Sequence, residues 1–188
     1  MERIPVAVMG AVGSVGQRFI QLLDGHPWFQ VTALSGSDRT VGKTYAEACR
    51  WILPEPMPTW AREMVILPTD PNMVEAVIYF SALPTDQALD LEEKFAQAGG
   101  NVVSNASANR QDPLVPILLP EVNPDHVALI EHQRKRKGWR GCIVTNPNCT
   151  STGMTVVLKA LQRSFGVSRG FVASLQALSG AGYPGVAS

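Results

Sequence analysis

Residues 4–9, Ile-Pro-Val-Ala-Val-Met, form a short apolar run that leads directly into Gly10-Ala11-Val12-Gly13-Ser14-Val15-Gly16. An apolar, β-rich run bounded by a glycine turn predicts a buried parallel strand. Residues 18–23 then carry apolar side chains at helical spacing, and Gly25, His26 and Pro27 end that helix. A strand, a tight turn and a helix in this order commit the chain to a βα unit. Parallel neighbours can be reached only through such crossovers. Glycines in the turn let backbone approach a phosphate, and the helix N-terminus offers free N–H groups and the positive end of its dipole. The spacing is G-x-x-G-x-x-G rather than the commoner G-x-G-x-x-G, so an ordinary strand-to-helix turn competes with a pyrophosphate site. The position after a first strand and before a first helix favours the site, with Gly10, Gly13, Ser14, Val15 and Gly16 as cofactor contacts.

The alternation continues. Strands are expected at residues 29–34, 64–67, 76–80, around Val102 and Val103, at 141–145 and at 171–176. Helices are expected at 89–98, stopped by Gly99-Gly100, at 124–137 with Pro124 in the first turn, and at 150–163. Pro54, Pro56 and Pro58 forbid a long helix within 47–61. The pattern predicts an α/β domain built on a doubly wound parallel sheet. Its boundary is expected near Cys149, with 150–188 beginning a second, incomplete unit.

The 188 residues are 45% hydrophobic and 17% charged, with a formal net charge of zero. That composition suits a globular fold. Zero net charge gives no support for a nucleic-acid partner. The basic run 134–137 is better explained as solvated cations that complement a helix C-terminus. No apolar run approaches a membrane span, and Met1-Glu2-Arg3 shows no secretory pattern. Cys49, Cys142 and Cys149 are odd in number and irregularly spaced, which argues against a disulfide framework and a zinc site, so no metal is expected. A reducing cytoplasm is the expected compartment.

The second strand leads into Leu34-Ser35-Gly36-Ser37, with Arg39, Thr40 and Lys43 just beyond. NAD enzymes often place an acid at the end of this strand for the ribose hydroxyls. Ser37, Arg39 and Thr40 instead suit the 2′-phosphate of NADP, which a carboxylate would repel. Asp38 argues the other way unless it points to solvent, and Lys43 is equally well explained as part of a solvated loop.

Thr145-Asn146-Pro147-Asn148-Cys149-Thr150-Ser151-Thr152 joins a predicted strand to a predicted helix. Cys149 is thereby placed at a helix N-terminus, where a thiolate is favoured. The Asn148 amide is placed to donate to an oxyanion. Cys142, inside a strand, and Cys49 are expected to be small core residues.

Asn146-Pro147-Asn148-Cys149-Thr150 resembles the active-site segment of aspartate-semialdehyde dehydrogenases, and Ser179-Gly180-Ala181-Gly182-Tyr183-Pro184-Gly185 resembles a segment of their archaeal and fungal-type branch. Residues 10–16, 81–84 and 104–110 are similar to the same family, in the same order. The resemblance implies a Rossmann-type NADP-binding domain over residues 1–149 and the start of a truncated α+β substrate and dimerisation domain over 150–188. It implies NADPH-dependent reduction of aspartyl phosphate to aspartate semialdehyde, within lysine, threonine and methionine biosynthesis. The small-molecule substrate would acylate Cys149 before hydride transfer. By resemblance Arg110 binds the substrate phosphate with help from Asn109, Gln176 contacts the covalent intermediate, Ser179 and Gly180 line the nicotinamide, and Ser81 and Leu83 touch the cofactor. A homodimer or homotetramer is implied at full length. The family also uses a histidine well downstream of the cysteine, whereas His26, His126 and His132 all precede it. The expectation is therefore a fragment with little or no catalysis of its own. Malonyl-CoA reductase shares the 179–185 run and is the nearer rival; N-acetyl-glutamyl-phosphate reductase is a further one. Asn148 before Cys149 favours the semialdehyde enzyme. A non-catalytic dinucleotide-binding remnant is the reading from another class.

Overall fold

Six parallel strands form one sheet in the order β3-β2-β1-β4-β5-β6 in a computed structural model that describes residues 2–177. They are β1 (Ile4–Met9), β2 (Phe29–Gly36), β3 (Ile66–Pro68), β4 (Ile78–Ser81), β5 (Asn101–Ser104) and β6 (Cys142–Thr145). The strand order reverses between β1 and β4. In such sheets that point opens a crevice beyond the carboxyl ends of the strands.

The first strand shows why the sheet is covered on both sides. Alternate residues of a strand face opposite ways, and β1 is buried on both faces. Val6 and Val8 pack with Ile20 of α1 (Ser14–Leu23), Leu34, Ile66 and Tyr45. Ala7 and Met9 pack on the other side with Tyr79, Val102, Ile143, Trp139 and Phe95 of α4 (Thr85–Ala98). Each fully buried aliphatic side chain stabilises the fold by about 1.5–3 kcal/mol relative to exposure. Gln133, the buried residue of α5 (Leu129–Lys137), binds β6 instead of packing apolar surface: Ile143 N–H donates to its Oε1 at 2.8 Å, and its Nε2 donates to the Ile143 carbonyl at 3.0 Å.

Several elements differ from the sequence expectation for identifiable reasons. The proline-rich stretch holds two single-turn helices, α2 (Tyr45–Ala48) and α3 (Thr59–Arg62), where irregular chain was expected. A capping box between Thr44 and Glu47 starts α2. The helix expected over 124–137 is split into a 3₁₀ turn, Pro124–Ala128, followed by α5. The helix α4 begins earlier than residue 89, at Thr85, and stops as expected at Gly99, whose φ is +108°.

The last expected strand, 171–176, is not formed. A strand needs a ladder partner, and the outer edge of β6 is already taken. Leu118 N–H donates to the Thr145 carbonyl and Thr145 N–H to the Pro116 carbonyl. Residues 171–177 consequently run without regular structure, with Phe171 and Leu175 fully exposed. The last helix among the described residues, α6 (Cys149–Ser164), buries none of its residues.

Candidate active site

The glycine turn sits at the switch point between β1 and β4. Gly10 has φ +73°, and a Cβ there would lie 2.7 Å from the Ala82 carbonyl oxygen, which follows β4. A Cβ on Gly16 would meet the Gly10 and Ala11 carbonyl oxygens at 2.4 and 2.5 Å. These two glycines let the turn, the β4 loop and α1 close on one another. Gly13 differs. A Cβ there would make one ordinary contact, 3.5 Å from the Gly10 carbonyl oxygen. As N-cap of α1 it supplies no side-chain hydrogen bond, and Ser14 and exposed Val15 follow it. The first N–H groups of α1 are therefore left for an anion.

Two buried polar side chains that no motif singles out brace this turn. Gln17 is fully buried, and its Nε2 donates to the carbonyls of Val12 at 3.1 Å and Arg50 at 3.0 Å. Its Oε1 accepts from Ile52 N–H at 2.9 Å. Tyr45, also fully buried, donates its hydroxyl to the Ala11 carbonyl at 3.1 Å.

Beyond β2, Ser37, Asp38 and Arg39 are exposed. Arg39 is in no ion pair among the described residues. Thr40 is less available than expected, because its hydroxyl donates to the Ser37 carbonyl at 2.8 Å and closes the turn. Ser81 and Leu83 stand at the end of β4 as expected, but both are buried. The Ser81 hydroxyl is turned away to Glu92 at 2.6 Å.

The loop after β5 carries Arg110, half-buried, with Nε donating to the Asn146 carbonyl at 2.9 Å and Nη2 to the Asn105 carbonyl at 3.0 Å. The Asn146 amide reaches the Asn105 side chain. These bonds tie the Arg110 loop to the segment that leads to Cys149. Asn109, in contrast, is 1% exposed and donates to Glu92 Oε2 at 2.8 Å, so it supports the loop from below.

Cys149 is exposed and is the first residue of α6. Asn148 caps the helix: its Oδ1 accepts from Thr150 N–H at 3.0 Å and Ser151 N–H at 3.3 Å. The carbonyl side is thereby committed, and the NH₂ side is the part that can donate. Cys49 and Cys142 are buried, and burial pushes both thiols up from their ordinary range. The structure thus separates one accessible thiol from two inert ones. Gln176 is exposed on the irregular segment and has no hydrogen bond to the Cys149 loop among the described residues. Ser179 and Gly180 lie outside the described residues. A cleft of about 340 Å³ beside this loop is lined by Arg110, Asp112, Asn123, His126, Pro147 and Thr155, among others.

The family model for the semialdehyde dehydrogenase NAD-binding domain matches residues 5–130. The chain belongs to this family. It is 53% identical over 186 residues to an aspartate-semialdehyde dehydrogenase from Archaeoglobus fulgidus, covering 99% of this chain and 54% of that protein. It is 42% identical to a malonyl-CoA reductase (NADP) from Metallosphaera sedula, covering 98% of this chain and 52% of the relative. Among solved structures, aspartate-semialdehyde dehydrogenase with NADP from Candida albicans superposes with a TM-score of 0.81 at 39% identity, over 88% of this chain and 48% of that one. The chain thus spans about half the length of the relatives it matches. Among the described residues no cluster of three metal-ligating side chains occurs, and no helix is long and apolar enough to cross a membrane.

Proposed function

We propose that this chain is the NADP-binding and nucleophile-bearing part of an aspartate-semialdehyde dehydrogenase. The observation that carries the reading is the placement of exposed Cys149 at the N-terminus of α6, with its loop hydrogen-bonded to Arg110. Residues 1–149 would form the cofactor domain, and 150–188 would begin the substrate and dimerisation unit of a homodimer or homotetramer. A cytoplasmic location fits an accessible thiol that must stay reduced.

The cofactor fits the residues present. Gly13 leaves the start of α1 bare for the pyrophosphate, and exposed Ser37 and Arg39 suit a 2′-phosphate. Bound NADPH would supply the hydride. The protein's own work is done by three groups. The Cys149 thiolate attacks the acyl carbon of aspartyl phosphate, the C–O bond to phosphate breaks, and a thioester forms. The Asn148 NH₂ donates to the oxygen that becomes negative during attack. Arg110, its Nε and Nη2 already anchored to backbone, presents its remaining N–H groups to the departing phosphate. Gln176 and Ser179-Gly180 are assigned to the intermediate and nicotinamide by resemblance alone.

The test is to join this chain to the second half of the Archaeoglobus relative. Phosphate-dependent NADP reduction with aspartate semialdehyde is then compared with NADPH oxidation by malonyl-CoA. Turnover with the semialdehyde that disappears in Cys149→Ser supports the reading. Turnover with malonyl-CoA alone would transfer the assignment to the reductase.

A further inference from the structure

The helix α4 turns an apolar stripe to the sheet through Ala88, Phe95 and Ala96, and Glu92 falls on the same stripe. Glu92 is fully buried. Among the described residues no lysine, arginine or histidine lies within ion-pair distance of it. A carboxylate in such a place is retained only where hydrogen bonds replace its water. Three donors do so. The hydroxyls of Ser81 and Ser104 each donate to Oε1 at 2.6 Å, and Asn109 Nδ2 donates to Oε2 at 2.8 Å.

The donors come from three places at the carboxyl edge of the sheet. Ser81 ends β4, and its carbonyl accepts from Asn105 N–H at 3.0 Å. Ser104 ends β5 and is in register with Ser81, and its hydroxyl also accepts from Ala106 N–H at 3.1 Å. Asn109 immediately precedes Arg110, which holds the Asn146 carbonyl three residues before Cys149. One buried carboxylate is therefore linked through Asn109 and Arg110 to the loop of the candidate nucleophile. An apolar residue on the stripe would fill the space but hold none of these ends.

We propose that Glu92 is a positioning residue that sets the Arg110 loop and, through it, the Cys149 loop. The role in phosphate capture rests on the function proposed above; the role in loop order does not.

The polarity of the pair gives a specific test. In Glu92→Gln the amide oxygen still accepts from the two serines, but the introduced NH₂ meets the NH₂ of Asn109 unless that amide turns over, and in either arrangement the charge-assisted bond to Asn109 is lost. In the double variant E92Q/N109D the same introduced NH₂ donates to the new carboxylate, and the bond is restored with its direction reversed. The full 188-residue chain is used for both measurements. Hydrogen exchange of residues 105–110 and 146–149 should rise about tenfold in Glu92→Gln, the worth of one buried hydrogen bond, and return to within about threefold of the parent in the double variant. The inorganic phosphate concentration that half-protects Cys149 from alkylation should shift by similar factors, while NADPH affinity stays within about twofold. Asn109→Ala leaves the two serine bonds in place and should reproduce the loss, which keeps the test valid if Glu92→Gln unfolds. Unchanged exchange in Glu92→Gln and Asn109→Ala, or a double variant no better than Glu92→Gln, overturns the proposal. Absence of phosphate protection in the parent chain would instead remove the phosphate role of Arg110, with the exchange result still deciding Glu92.

Discussion

Replacing Gly10 and Gly13 separately by alanine should distinguish a glycine required by the fold from one required by the cofactor. Gly10 has φ +73°, and the left-handed region costs a residue with a Cβ about 1–2 kcal/mol. Its Cβ would also lie 2.7 Å from the Ala82 carbonyl oxygen. That oxygen cannot swing away freely, because Ala82 N–H donates to the Met9 carbonyl at 2.9 Å and the preceding Ser81 carbonyl is held by Asn105. Forcing the methyl in should add about 1–3 kcal/mol. The sum is about 2–5 kcal/mol, or a fall in Tm of about 4–20 °C for a chain of this size. Gly13 has φ −68° and only an ordinary contact in prospect. Loss of chain entropy in the unfolded state favours alanine by about 0.4–1 kcal/mol. Alanine's poor N-cap character removes a comparable amount, so stability should change by less than about 1 kcal/mol. The same methyl stands over the bare start of α1, and NADPH affinity should fall at least about tenfold, the loss of one anion contact. Urea unfolding and fluorescence titration with NADPH read the two effects. If Gly13→Ala is as destabilised as Gly10→Ala, or binds NADPH normally, this division of roles within the turn is refuted.

Brief iodoacetamide treatment followed by peptide mass spectrometry should label Cys149 before Cys49 and Cys142, whose thiols are buried and raised; early labelling of either buried thiol would contradict the assignment. Arg39→Ala should weaken NADPH binding by about 1.5–3 kcal/mol, roughly ten- to a hundredfold, with NADH unchanged; equal losses for both cofactors would remove the 2′-phosphate role. Asp112 resists ionisation through burial, but Leu114 N–H and the Lys137 ammonium at 2.9 Å overcome this and hold its carboxyl below the usual range. A carboxyl whose folded value is depressed stabilises the protein above its unfolded value near 3.8 and loses that contribution as pH falls through the folded one. Asp112→Asn should therefore lower Tm at pH 7, and the difference should shrink below about pH 4; a difference independent of pH would refute the ion pair's contribution.

The sheet was legible because its strands are buried on both faces and so appear as apolar runs, and because the glycine turn marks where β1 gives way to α1. The strand at 171–176 failed for the converse reason. Phe171, Val172 and Leu175 have the composition of a strand, but composition does not supply an edge to pair with, and the edge of β6 is held by residues 116–118. Single-turn helices such as α2 leave almost no periodic trace; the Thr44 and Glu47 pair was the available signal. Cys149, Asn148 and Arg110 were expected from motif and resemblance, and the structure brings their loops together. Glu92 was missed although its spacing from Ala88 and Ala96 places it on the buried stripe. A charged residue in an apolar stripe was the sign. Asn109 and Ser81 were assigned to ligands, but their side chains serve that buried carboxylate, a contact between distant segments that no local pattern displays.

Cofactor occupancy and Cys149 reactivity can be measured together, and a shared crevice requires them to be linked. The rate of Cys149 alkylation in the 188-residue chain is followed as NADPH is titrated. If the glycine turn, the β4 loop and Cys149 face one crevice, the rate should fall severalfold along the NADPH binding curve, whereas NADH at the same concentration should protect little. NADPH that binds and leaves Cys149 as reactive as before would place the cofactor and the nucleophile in separate sites, contrary to the function proposed for this chain.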